Sequence, residues 1–202
     1  MPEAIDQVYK HLDVDDRQLV ALHEISGPWK LDIRYATSYN ITGKPIYPFA
    51  GCLLRAGTAR KLLNAAEEIS RQKALLIIWD GYRPPEAQQQ LWEAVPDPTF
   101  VAPPETGSKH SRGVAVDVTL ADSRGILLDM PTGFDDFTEQ AAASYSGLLP
   151  EVESRRALLQ KAMVSNGFQM LESEWWHFED TEWQKYELLN ADFTTLQSLI
   201  NR

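Results

Sequence analysis

The 202-residue sequence contains a single cysteine. Cys52 therefore has no partner for an internal disulfide, and a zinc site built on several thiolates is excluded with it. It lies in "FAGCLLRAG", among apolar neighbours, and reads as a small buried hydrophobe. Histidine is scarce too, with only His11, His23, His110 and His177. Basic charge is short: 19 Lys and Arg face 29 Asp and Glu, a net charge of −10. No basic block offsets that excess, which argues against a nucleic-acid partner. No run approaches the roughly 18 apolar residues that a membrane span needs. The longest candidate, "ALLIIW", fits a buried strand instead. The first 16 residues carry no apolar core of the kind a secretory signal requires. The expectation is a soluble, cytoplasmic protein without membrane or nucleic-acid partners, or a periplasmic one if a signal peptide has been removed.

What is present is ordinary globular composition, 44% hydrophobic and 24% charged. The length suits one domain with a sizeable core and would cramp two. Residues 1–27 read as an acidic lead-in, helical around Arg17–His23. "KLDIRYATSYN" alternates Leu31, Ile33 and Tyr35 against Asp32 and Arg34, the period of a half-buried strand. "TARKLLNAAEEISRQ" predicts a helix capped by Thr58, with an apolar stripe of Leu62, Ala65, Ala66 and Ile69. Residues 74–79 predict a strand buried on both faces. Pro84 and Pro85 suit the start of the next helix. "GVAVDVTL" reads as a strand, "EVESRRALLQKAMVSNG" as a helix stopped at Gly167, and the aromatic "SEWWHFE" as another strand. The residues after 180 look helical and form a C-terminal extension. Helices and strands do not alternate regularly, so the expected class is α+β: an antiparallel sheet with packed helices.

Two short stretches carry the chemistry. In "GVAVDVTL", Val114, Val116, Val118 and Leu120 share one face, and Ala115, Asp117 and Thr119 the other. His110, in "SKHSRGVAVD", precedes Asp117 by seven residues. On an unbroken strand that odd spacing would put the two on opposite faces. Gly113 is the residue able to turn the backbone between them. In "EWWH", Glu174 and His177 are three apart, which a strand would also separate unless Glu174 sits in the bend before it. Two His, one Asp and a nearby Glu are the makings of a catalytic zinc site. Three nitrogen and oxygen ligands leave a fourth position for water. Zinc lowers the pKa of water to about 7 in favourable cases, and a carboxylate off the metal can take the proton.

The pattern S-x-H-x-x-G-x-A-x-D followed by E-x-W-H resembles the zinc D,D-peptidases, and in particular the D-alanyl-D-alanine dipeptidases of the VanX type. "RYATSYNITGKP", "DGYRP", "SRGVAVDVTL" and "GFDDF" each resemble a block of that family, in order, so the resemblance runs from about residue 28 to 180. It implies the hedgehog/DD-peptidase-like fold and hydrolysis of the D-Ala-D-Ala dipeptide, with one zinc ion. By resemblance, His110, Asp117 and His177 match the zinc ligands, Glu174 the base, and Arg83 the arginine that stabilises the oxyanion. Tyr35, Ser108 and Asp135 match residues lining the substrate cavity, with Asp135 facing the substrate ammonium and Ser108 its C-terminal end. Each of the last four also has an ordinary role open to it: Arg83 as a surface residue after a turn, Tyr35 as core, Ser108 as a turn residue, Asp135 as a cap. After "GFDDF" the chain reads "TEQAAASYSG" and departs from the family pattern. Two rival functions stay open: a D,D-carboxypeptidase or other cell-wall peptidase on the same site, and a non-enzymatic zinc-stabilised binding module. A role in antibiotic resistance, a role in recovering D-alanine from the cell wall, and a homo-oligomer are all left open.

Overall fold

The computed structural model describes residues 12–200, so the first part of the acidic lead-in, residues 1–11, lies outside the described part. Where a helix was expected around Arg17–His23, the chain instead forms a short strand, β1 (Leu19–Ala21), and a single 3-10 turn at Leu22–Glu24. The reason is tertiary: β1 pairs antiparallel with β3 (Leu53–Arg55). The expected strand over Leu31–Tyr35 is likewise only partly formed. β2 covers Trp29–Leu31, and the backbone then turns through a 3-10 helix at Arg34–Ala36. Tyr35 still ends up buried, as the alternation required, but on a turn.

The helix α1 (Ala56–Arg71) starts two residues earlier than its sequence signal. Thr58 is not its cap. It lies inside the first turn, and its hydroxyl donates to Asp180 Oδ2 (2.9 Å). The apolar stripe is as read: Leu62, Ala65, Ala66 and Ile69 are fully buried. β4 (Ala74–Asp80) follows, then α2 (Pro85–Ala94), which does begin at Pro85. β5 (Ala115–Asp122), α3 (Pro150–Ser165), β6 (Phe168–Leu171), β7 (Glu174–Asp180) and α4 (Phe193–Ile200) complete the order. Gly167 carries the positive φ (92°) that ends the α3 turn. Only the last part of the C-terminal extension is a helix; Trp183–Lys185 is a 3-10 turn.

The main sheet has five strands in the order β2-β4-β5-β7-β6. It is antiparallel except at one edge, where β2 runs parallel to β4. The α+β class therefore holds, with that one parallel pair added. α1 and α3 pack on each other, α1 against β4 and α3 against β6 and β5. Val116, Val118 and Leu120 have no exposure.

Register decides what the sheet can do. Asp117 stands directly across from His177 on one side and from Asp80 on the other. The second pairing needs a bulge: between Ile78 and Asp80 the β4 strand advances two residues while β5 advances one. Trp79 is the extra residue; in an unbulged register it, and not Asp80, would stand opposite Asp117. Three polar side chains are thereby aligned across the middle of a buried sheet.

Candidate metal centre and substrate cavity

His110 opens a single 3-10 turn, His110–Arg112, which Gly113 closes at φ 72°, ψ 28°. This left-handed residue reverses the parity between His110 and Asp117, as the spacing demanded. A side chain there would also be crowded, since a Cβ would lie 3.2 Å from the Leu19 side chain. Glu174 reaches the same site by a different device from the expected bend. It is the first residue of β7, and β7 is irregular: one step along β6, Met170 to Leu171, spans Phe178 to Glu174 on β7. Glu174 Oε2 consequently lies 3.9 Å from His177 Nδ1.

The ligating atoms of His110, Asp117 and His177 all fall within 4.8 Å of one another, and all three residues are buried. His110 Nε2 is 3.1 Å from His177 Nδ1, which is 3.0 Å from Asp117 Oδ1. The outer nitrogens fix what the inner ones can be. His110 Nδ1 donates to the Gly81 carbonyl at 2.7 Å, and His177 Nε2 faces Glu179 Oε1 at 3.3 Å. In neutral imidazoles with those protons outside, both inner nitrogens are lone pairs. Two lone pairs and a carboxylate oxygen then converge on one point, an arrangement only a cation or a proton reconciles. Without a metal the proton goes to His177. Burial works against its charge, but hydrogen bonds to Asp117 and Glu179 override that and push its pKa up to about 10. Asp117 is buried as well, yet the two histidines hold its carboxyl well below the usual range. The donor set of two nitrogens and one oxygen, with each outer N–H anchored, suits zinc.

The charge balance points the same way. Asp80, Asp117, Asp135, Glu174 and Glu179 are all buried, against Arg83 and the half-buried Lys109. Burial raises the pKa of Glu174 to about 8 and that of Asp135 to about 7. Glu179, like Asp117, goes the other way. Its hydrogen bond to His177 outweighs burial and lowers it to about 2.

Arg83 is buried, not at the surface. Its Nε and one terminal nitrogen both donate to Asp80 Oδ2 (3.0 and 2.9 Å), and the other terminal nitrogen to Gln88 Oε1 (3.3 Å). Asp80 Oδ1 accepts from Tyr47 (2.8 Å). The guanidinium sits 5.0 Å from the Tyr35 ring centroid and 3.7 Å from Asp117 Oδ2. Tyr35 donates its hydroxyl to Asp135 Oδ1 (3.1 Å), and the Ile41 N–H donates to Oδ2 (3.0 Å). Asp135 has φ 57°, a conformation that Asp tolerates better than most residues.

All eight residues singled out in the sequence line one cavity of about 180 Å³: Tyr35, Arg83, Ser108, His110, Asp117, Asp135, Glu174 and His177. That is smaller than the roughly 300–1,000 Å³ usual for larger ligands. Phe137 is in its wall, but none of residues 138–147, where the sequence departs from the family pattern, lines it. That segment turns away, its Ala143 N–H bonding the Glu172 carbonyl (2.8 Å) and its Tyr145 carbonyl accepting from Arg156 (2.8 Å).

A family model described as D-ala-D-ala dipeptidase matches residues 15–198. The chain belongs to the D-Ala-D-Ala dipeptidase family. It is similar to the D-alanyl-D-alanine dipeptidase of Escherichia coli (strain K12), 40% identical over 180 residues that cover 89% of this chain and 93% of that one. It is similar also to the D-alanyl-D-alanine dipeptidase of Enterococcus faecium, 32% identical over 78% of this chain and 88% of the other. Among solved structures it is similar to VanYB in complex with D-alanine-D-alanine, at 17% identity and a TM-score of 0.46, covering 69% of this chain and 77% of that one.

In this family member, sequence reasoning missed the groups that hold the site in place. Asp80 clamps Arg83, Glu179 faces His177, Gln88 supports Arg83, and the Gly81 carbonyl anchors His110. Asp80 and Gly81 stood in the "DGYRP" block, but nothing in one sequence distinguishes a clamp from a turn residue. Glu179 did carry a signal: it is two residues from His177, and on a strand that means the same face.

Proposed function

We propose that this chain is a zinc-dependent dipeptidase that hydrolyses D-Ala-D-Ala to two D-alanines. The observation that carries the reading is the convergence of His110, Asp117 and His177 in one small buried cavity with Glu174 and Arg83. His110 Nε2, Asp117 Oδ1 and His177 Nδ1 would hold the metal. When bound, zinc supplies Lewis-acid polarisation of the scissile carbonyl and makes water more acidic.

The protein's own groups do the rest. Glu174 removes a proton from the attacking water and later delivers it to the leaving amine. Its position beside His177 suits a group that takes and returns one proton. Burial raises its pKa to about 8 in the metal-free site, and a cation held by the neighbouring ligands would favour the ionised form that a base requires. Arg83 donates hydrogen bonds to the negative charge that develops on the carbonyl oxygen. Held by Asp80 and Gln88, its fork is already aimed before substrate arrives, which is what electrostatic stabilisation requires. Asp135, with Tyr35 fixing its carboxylate, faces the substrate ammonium, and Ser108 the C-terminal end. The Ser108 hydroxyl is held by the neighbouring Ser111 N–H and hydroxyl (3.2 and 3.3 Å).

The small cavity and its buried polar groups support a dipeptide over a longer peptide. Blocking a substrate terminus would leave a buried group such as Asp135 unpaired. Family membership favours an enzyme over a binding module. Among the described residues no helix is long and apolar enough to cross a membrane; we place the chain, acting as one catalytic domain, in the cytoplasm. The reading is tested with a length series: D-Ala-D-Ala, its N-acetyl form, and a stem peptide ending in D-Ala-D-Ala. A dipeptidase turns over the first and rejects the others. Faster cleavage of the stem peptide would make the chain a D,D-carboxypeptidase.

A further inference from the structure

Glu179 has no part in the mechanism above, yet it is a buried carboxylate in the wall of the cavity. It lies on the same strand face as His177, two residues on. It is held from two sides. Across the sheet it is in register with Ala115, whose small side chain leaves room above it, and with Gln169, whose amide donates to Oε2 at 2.9 Å. Its other oxygen, Oε1, takes the His177 Nε2–H at 3.3 Å and lies 3.5 Å from Lys109 Nζ. Lys109 is itself steadied over the Trp183 ring at 5.0 Å. Both oxygens are therefore engaged by neighbouring side chains.

We infer that Glu179 is a positioning residue that fixes the tautomer and ring plane of His177 and raises its strength as a metal ligand. This rests on the reading of His177 as a zinc ligand. The two histidines differ in how they are anchored. His110 Nδ1 bonds a neutral backbone carbonyl, Gly81 O, at 2.7 Å, with the Asp80 carboxylate further off at 3.6 Å, whereas His177 Nε2 bonds a carboxylate directly. An ionised acceptor on the outer nitrogen makes the inner nitrogen a better electron donor, and it also holds the outer proton in place so that Nδ1 stays free. Gln169 and Lys109 keep the carboxylate turned toward the ring.

The test is zinc affinity, measured on metal-free protein by competition with a chromophoric chelator, with folding checked by circular dichroism. Glu179→Ala is expected to weaken zinc binding by about 10–100-fold, the range for lost outer-sphere partners of metal ligands. Glu179→Gln retains an acceptor without the charge and is expected to fall between Ala and wild type. A folded Glu179→Ala protein with wild-type zinc affinity would overturn the inference. If that variant does not fold, the isosteric Glu179→Gln decides alone: weaker zinc binding supports the role, and unchanged affinity overturns it. Failure of the underlying site reading looks different. There, wild type would bind no stoichiometric zinc, or His177→Ala would bind it as well as wild type does.

Discussion

Replacing Arg83 with alanine separates two things this residue does. Arg83 makes three hydrogen bonds in the buried interior, two of them to Asp80 Oδ2. Without it the fully buried Asp80 keeps, of its side-chain partners, the Tyr47 hydroxyl on Oδ1 and the His110 ring, 3.6 Å from Oδ2. Breaking a buried pair from one side costs about 3–5 kcal/mol, because the remaining charge is stranded. For a domain of this size that corresponds to a fall in Tm of about 6–20 °C. Losing a donor to the developing oxyanion costs about 10²–10³ in kcat. The two effects are pulled apart by Asp80→Asn/Arg83→Ala, which removes the stranded charge but does not restore the donor. Thermal unfolding of the metal-free proteins and steady-state hydrolysis of D-Ala-D-Ala with zinc present provide the two readouts. The double variant is expected to recover much of the lost Tm while kcat stays down by two orders of magnitude or more. Recovery of kcat together with Tm would show that Arg83 only braces Asp80, and would remove it from the chemistry.

Three further outcomes follow from the same geometry. Glu174→Ala should lower kcat by about 10²–10⁴-fold while the protein still binds one zinc; loss of the zinc, read by elemental analysis, would make Glu174 a ligand instead. Asp135→Asn keeps a side chain suited to φ 57° but removes a carboxylate whose pKa burial raises to about 7. A raised folded-state pKa means that the wild-type, metal-free protein loses stability as pH climbs from about 4 to 7. The variant should therefore gain on wild type across that window, by up to about 4 kcal/mol, while its KM for D-Ala-D-Ala rises; a pH-independent difference in denaturant midpoint would contradict the assignment. Gly81→Ala should be strongly destabilising, because its Cβ would lie 2.5 Å from Cys52 Sγ and 2.9 Å from the Leu53 carbonyl. The displaced Gly81 carbonyl should also loosen His110, so zinc affinity should fall with Tm, and an unchanged zinc affinity would refute that link.

The periodic elements were legible because their apolar spacing is local information. The α1 stripe, the buried β4 and the alternation of β5 all came through. Residues whose fate depends on partners far along the chain did not. Leu19–Ala21 is a strand because β3 is beside it, and Thr58 is bound to Asp180, 122 positions away, instead of capping a helix. The chemical residues were legible in type but not in arrangement. The parity conflict between His110 and Asp117 correctly demanded a turn at Gly113. The matching conflict between Glu174 and His177 was resolved by an irregularity within β7, not by a bend before it. The bulge at Trp79 that brings Asp80 opposite Asp117 leaves no mark in the sequence, since nothing in "ALLIIWDGYRP" says which residue will be left unpaired.

The measurement that bears most directly on the central claim is D-alanine release from D-Ala-D-Ala by the purified chain as its metal is removed and returned. The site predicts hydrolysis with one bound zinc, loss of activity on dialysis against a chelator, and recovery on adding one equivalent of zinc. L-Ala-L-Ala should remain uncleaved throughout. Hydrolysis that persists in the fully metal-free protein, or is unaffected by replacing His110 or His177 with alanine, would contradict it.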